Sequence, residues 1–117
     1  MKHNNDFQHD LEVGQVKEKE LADLLENKTI EVKRDLIAPR TGNVFIEYEC
    51  REKPSGIATT KADFHCIAVE HLYIILSTEK LKDIVRPYFG TDRDVLGGDS
   101  NRSKGIKLPL KQLIKLK

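Results

Sequence analysis

An α/β layered domain is what the sequence predicts: a mixed β-sheet core flanked by helices, in the order α-β-β-β-β-α-(β)-α. Three observations predict it. Thr29–Asp35 and Asn43–Arg51 alternate apolar and charged residues with period two, the mark of half-buried strands. Asp63–Val69 and Leu72–Ser77 are short apolar runs rich in β-formers and read as buried strands. Leu21, Leu24 and Leu25 before the strands, and Leu81, Ile84 and Val85 after them, repeat at helical spacing.

Taken in order, residues 1–10 are polar and read as a flexible N-terminus, and residues 11–117 as a single domain. The first helix is expected over Leu11–Glu26, with Gly14 interrupting its start. Between the two alternating strands lies 36–42, where Pro39 and Gly42 favour a turn, so the strands are expected to form a hairpin with a long loop. Glu52–Thr60, with Pro54-Ser55-Gly56, is expected as a loop. Ser77 or Thr78 suits the N-cap of the next helix, Glu79 its first turn, and Pro87 and Gly90 its end. Thr91–Gly105 reads as a polar loop, Gly105–Leu108 as a short strand and Leu110–Leu116 as a last helix.

Composition narrows the function classes. The longest apolar run, Leu72–Leu76, is far below the roughly 20 residues of a membrane span. Met1–Asp10 lacks the apolar stretch of a secretory signal, so a cytoplasmic protein with no membrane partner is expected. Cys50 and Cys66 then read as reduced thiols. The histidines His3, His9, His65 and His71 are scattered, which gives a His-based centre little support. Net charge is +1, so overall charge does not point to nucleic acid, although Arg102–Lys117 holds six basic residues and no acid. A basic arm contacting phosphates and a solvated helix face both account for that segment.

The chemistry-bearing pattern is the charged face of the expected hairpin. Side chains two apart share a face. In the simplest register Glu31 faces Arg51, Lys33 faces Glu49 and Asp35 faces Glu47. The last pair sets two carboxylates opposite each other, which costs stability unless a cation lies between them. Mg²⁺ or Mn²⁺ bound by Asp35, Glu47 and Glu49 would polarise a phosphodiester and activate water, with Lys33 stabilising the developing charge. A half-exposed hairpin with one ordinary charged face accounts for the same alternation.

Further residues carry a resemblance. Gly14-Gln15-Val16-Lys17-Glu18-Lys19-Glu20-Leu21-Ala22-Asp23-Leu24-Leu25-Glu26 resembles the first helix of archaeal Holliday-junction resolvases, members of the PD-(D/E)XK nuclease superfamily. There a glycine precedes by four residues a glutamate of the active site, and Glu18 falls at that position. The superfamily then places an acid at the end of one strand and an acid-x-lysine on the next, a layout similar to Asp35 followed by Ile46-Glu47-Tyr48-Glu49. The stretch Glu31–Asp63 also resembles a group of small, mostly phage-encoded proteins thought to share that fold. The resemblance spans about residues 14–70. It implies a restriction-endonuclease-like sheet, Mg²⁺- or Mn²⁺-dependent cleavage of DNA, including branched or junction DNA, catalytic roles for Glu18, Lys33, Asp35, Glu47 and Glu49, and a homodimer.

Two features depart from the family pattern. Glu49 stands where the superfamily has lysine, which leaves Lys33 or Lys61 to supply the cation. Glu31-Val32-Lys33 is itself an acid-x-lysine, but taking it as the motif leaves only Asp23, inside the helix, as the preceding acid, so it ranks second. The Glu49 substitution also supports another expectation, a catalytically degenerate protein of the same fold that binds DNA or protein as an accessory factor. Ser55-Gly56 reads as an ordinary turn.

Overall fold

The computed structural model describes residues 17–98 and 101–114, so the expected flexible segment 1–10 and the first part of the 11–26 helix lie outside the described residues. Residues 17–25 form helix α1. Its Leu21 and Leu24 face solvent, and only Leu25 is half-buried.

The strands divide into two sheets, giving a mixed α/β architecture. In the first, β1 (Ile30–Arg34) runs parallel to β4 (Phe64–Val69), and β4 pairs antiparallel with β5 (Leu72–Ser77). In the second, antiparallel sheet the order is β3 (Lys53–Pro54), β2 (Asn43–Cys50), β7 (Ser103–Pro109), β6 (Asp94–Gly97). Ile67, Val69 and Ile74 of the first sheet share one buried core with Val44, Ile46, Ile106 and Leu108 of the second. Leu81 and Val85 of helix α3 (Thr78–Val85) join that core. Ser77 caps α3 as its residue type foretells, its hydroxyl accepting from Lys80 N at 3.0 Å.

The expected β1–β2 hairpin does not form; the two strands lie in different sheets. The cause is local. The backbone N–H of Asp35 extends the β1–β4 ladder by donating to Ala68 O at 3.0 Å. Its side chain then organises the next turn: Oδ1 accepts from Ile37 N and Ala38 N, and Oδ2 from Phe45 N. The segment between becomes the helical turn α2 (Ala38–Thr41), closed by Gly42 at φ +76°, a conformation glycine adopts without strain. That turn carries the chain out of the first sheet before β2 begins.

Two further expectations change, and one, reduced cysteines, stands. The 91–105 segment contains β6, which pairs antiparallel with β7. In place of the Leu110–Leu116 helix there is a 3-10 turn at Leu110–Gln112, and residues 115–117 lie outside the described residues. Cys50 and Cys66, on strands of different sheets, are both free thiols. No helix among the described residues is long and apolar enough to cross a membrane.

Candidate functional site

Because β1 and β2 enter different sheets, a cleft opens between them, and two cavities meet there. The smaller, about 390 Å³, is bordered by Glu31, Lys33, Glu47, His65 and the Gly56-Ile57 turn. The larger, about 1240 Å³, runs over the second sheet and is bordered by Asp35, Phe45, Arg51 and Arg102 among others. Lys33, Arg34 and Glu47 border both.

Glu47 is set by three features of its surroundings. The β2–β7 register slips between Glu47 and Glu49, a bulge of the kind that re-aims a side chain. Ser55 Oγ donates to Glu47 Oε2 at 2.9 Å, and Ser55 N donates to Tyr48 O at 3.0 Å. Gly56, at φ +53°, lies so close that a Cβ there would sit 2.2 Å from the backbone oxygen of Glu47. Only glycine allows this turn to press against the strand. Ser55-Gly56, which reads as an ordinary turn in the sequence, is therefore the clamp on Glu47.

Lys33 reaches the same place from β1. Burial pushes its ammonium below the usual lysine range, while Glu47, then Asp35, then Glu31 pull the other way. Its Nζ lies 5.6 Å from the centre of the Phe45 ring. A lysine with burial and carboxylates acting on it in opposite senses, beside a cavity, is a common signature of a working site.

Two residues that sequence reasoning left aside also border the cleft. Glu31 sits opposite His65 in the parallel register. His65 Nε2 is 3.0 Å from Glu31 Oε2, and its Nδ1 is 2.9 Å from Thr78 Oγ1. A helical or hairpin spacing could not reveal this pair, because parallel pairing joins residues far apart in the chain. The available signal was a histidine inside an otherwise apolar run, a position where a polar side chain needs a partner.

The expected site residues are thus only partly assembled. Lys33 and Glu47 border both cavities, and Asp35 joins them on the larger one but not on the smaller. Glu49 turns to the neighbouring strand, where Lys104 Nζ lies 3.5 Å from its Oε2, and it borders neither cavity. Glu18 is exposed on α1, from which no residue borders either cavity. Lys61 is exposed and borders neither.

The expected metal set Asp35, Glu47 and Glu49 does not fit a resident three-ligand ion. Asp35 holds three backbone amides, Glu49 is paired with Lys104, and among the described residues no three His, Cys, Asp or Glu converge as a metal site. What remains compatible with Mg²⁺ is its sparse mode of binding, one or two carboxylates completed by water and substrate phosphate.

The second sheet contributes a separate tie. Tyr48 Oη donates to Asp94 Oδ1 at 2.5 Å, and Phe89 packs edge-on against the Tyr48 ring at 4.9 Å. Desolvation first, and the Asp94 hydrogen bond next, push the Tyr48 hydroxyl up to about 12.

Compared with protein-family models, with curated proteins and with solved structures, the chain matches none.

Proposed function

We propose that this protein is a phosphodiester hydrolase acting on DNA, with Glu47 and Lys33 at its centre. The observation that carries the reading is that these two residues border both the smaller cleft and the large cavity. A phosphate drawn into the larger cavity would meet Lys33, whose ammonium can neutralise charge developing on a phosphoryl oxygen. Glu47, clamped by Ser55 and Gly56, is placed to orient an attacking water. A Mg²⁺ or Mn²⁺ ion arriving with the substrate would be held by Glu47 and would supply Lewis-acid polarisation of the phosphate. Branched or junction DNA as the substrate, the restriction-endonuclease-like sheet and the assembly of two copies rest on the family resemblance and belong to the same proposal.

Incubation of the full chain with supercoiled plasmid and with four-way-junction DNA, under Mg²⁺ and under Mn²⁺, tests this. Cleavage by the wild type and its loss in Glu47→Gln and Lys33→Met support the reading. A wild type inert on both substrates, or a Glu47→Gln variant as active as wild type, overturns it.

A second reading is favoured by the pairing of Glu49 with Lys104, which withdraws one acid from the cleft. In it the protein binds DNA without cutting it, as an accessory factor. Binding by wild type with no cleavage under either ion is its expected outcome.

A further inference from the structure

We infer that the larger cavity is a groove for an unpaired nucleic-acid strand rather than for a duplex. The inference deepens the proposed function by naming the form of the substrate, but strand binding itself does not depend on cleavage.

Charge is the first observation. Arg34, Arg51, Arg102 and Lys107 border the groove, and all four are exposed. Among the described residues none of them is in an ion pair with a carboxylate. Among the described residues the only acids on the border are Asp35 and Glu47. Asp35 is occupied with three backbone amides, and Glu47 stands where the groove meets the smaller cleft. Two of the four cations are brought together by the backbone. Arg51 and Glu52 take φ of +50° and +67°, forming a two-residue turn between β2 and β3, and Arg51 N donates to Arg102 O at 2.9 Å. That hydrogen bond brings two arginines from distant parts of the chain to one end of the groove.

Apolar exposure is the second, independent observation. Leu36, Ile37 and Leu96, exposed at 73%, 57% and 60%, border the same groove as the cations. The Phe45 ring, also on the border, lies on Gly97 and Gly105, where a Cβ would approach it to 2.8 and 2.5 Å. A duplex presents phosphates and sugars outward and keeps its base faces stacked inside. An unpaired strand presents phosphates and bare base faces together. A cationic groove carrying exposed apolar side chains matches the second surface. Its volume of about 1240 Å³ exceeds the pocket of a typical small ligand and suits a segment of polymer.

Fluorescence anisotropy on the full chain, in EDTA so that binding is separated from cutting, tests the inference. The probes are a labelled oligothymidylate of about a dozen nucleotides and a duplex of equal length. The oligothymidylate is expected to bind at least ~10-fold more tightly, with log affinity falling against log salt at a slope of about −3, as four phosphate contacts require. The triple variant Arg34→Gln/Arg102→Gln/Lys107→Gln is expected to flatten that slope by about 2. Leu36→Ser/Leu96→Ser, which keeps every charge, is expected to weaken oligothymidylate binding severalfold at an unchanged slope. Duplex binding as tight as strand binding, or a salt slope that the triple variant leaves unaltered, overturns the inference. Strand binding without cleavage under Mg²⁺ or Mn²⁺ overturns the hydrolase reading and leaves this inference standing. Cleavage of duplex DNA with no preference for unpaired strands does the reverse.

Discussion

His65 Nε2 lies 3.0 Å from Glu31 Oε2, beneath a cleft in which the histidine is buried and the glutamate half-exposed. The protons around it can be counted. Thr78 Oγ1 donates its one hydrogen to Ala62 O at 2.6 Å, so His65 Nδ1 must donate to Thr78. His65 thus ties Glu31 of β1 to Thr78 of α3. Thr78→Val keeps the shape of the side chain but leaves His65 Nδ1 and Ala62 O without their buried partner. We expect a loss of about 1–3 kcal/mol, the usual cost of stranding buried polar groups, read by urea denaturation, with Thr78→Ser close to wild type. A Thr78→Val variant as stable as wild type would show that the chain through Thr78 holds nothing in place.

Gly56→Ala is the sharpest probe of the clamp on Glu47. The new methyl would sit 2.2 Å from Glu47 O, and alanine is strained at φ +53°. The turn must withdraw from β2, taking the Ser55 hydroxyl from Glu47 Oε2. We expect a destabilisation of about 1–3 kcal/mol in urea titration. Under the proposed function, cleavage should fall together with stability, whereas Ser55→Ala should reduce cleavage with little change in stability. Wild-type stability in Gly56→Ala would show that the turn is free to move.

Strand positions were largely legible in the sequence because alternation and apolar runs report burial directly. Thr29–Asp35, Asn43–Arg51 and Leu72–Ser77 each contain a strand with nearly those bounds. Pairing was not legible. Period two tells which side chains share a face, not which strand lies alongside, and proximity in sequence favoured a β1–β2 hairpin. The deciding interaction was Asp35 with three amides at once, a capping role that its residue type permits but does not announce. The expected pairings of Lys33 with Glu49 and of Asp35 with Glu47 across a hairpin are lost with it, while Lys33 and Glu47 border the same two cavities. Glu49 does not, because the β2 bulge and Lys104 take it elsewhere. His65 was passed over for lack of a neighbouring histidine or cysteine, when its partner was a glutamate one strand away.

Asp35 allows two roles to be told apart by stability alone. If its carboxylate were chiefly an acid held against Glu47, neutralising it would relieve repulsion and leave the fold as stable or slightly more so. Its three amide contacts, at 3.0, 2.9 and 3.1 Å, require the opposite. Asp35→Ala should cost about 2 kcal/mol, in the range for hydrogen bonds to a charged group, as the α2 turn loses its anchor. Asp35→Asn, which keeps one acceptor oxygen, should fall between Ala and wild type. Urea titrations of the three proteins at neutral pH give the order, and an Asp35→Ala variant at or above wild-type stability excludes the anchoring role.

Lys33 should leave its mark on the pH dependence of stability. Its folded value lies below 10.5 because burial outweighs the pull of Glu47, Asp35 and Glu31. Between the folded value and 10.5 the unfolded chain therefore binds more protons than the folded one, and stability rises with pH across that window. Below the folded value the cost of burying the ammonium is carried in full. Tyr48 acts in the other direction: its value is raised from 10.0 to about 12, so its contribution is complete below 10.0 and is lost as pH climbs toward 12. Subtracting the stability of Lys33→Met from that of wild type at each pH removes the tyrosine, which both proteins share. The difference should move in favour of wild type as pH rises toward 10.5 and then level off. A difference that stays flat through the alkaline range would place Lys33 in open solvent, and with it would go the reason for setting this lysine at the junction of the two cavities.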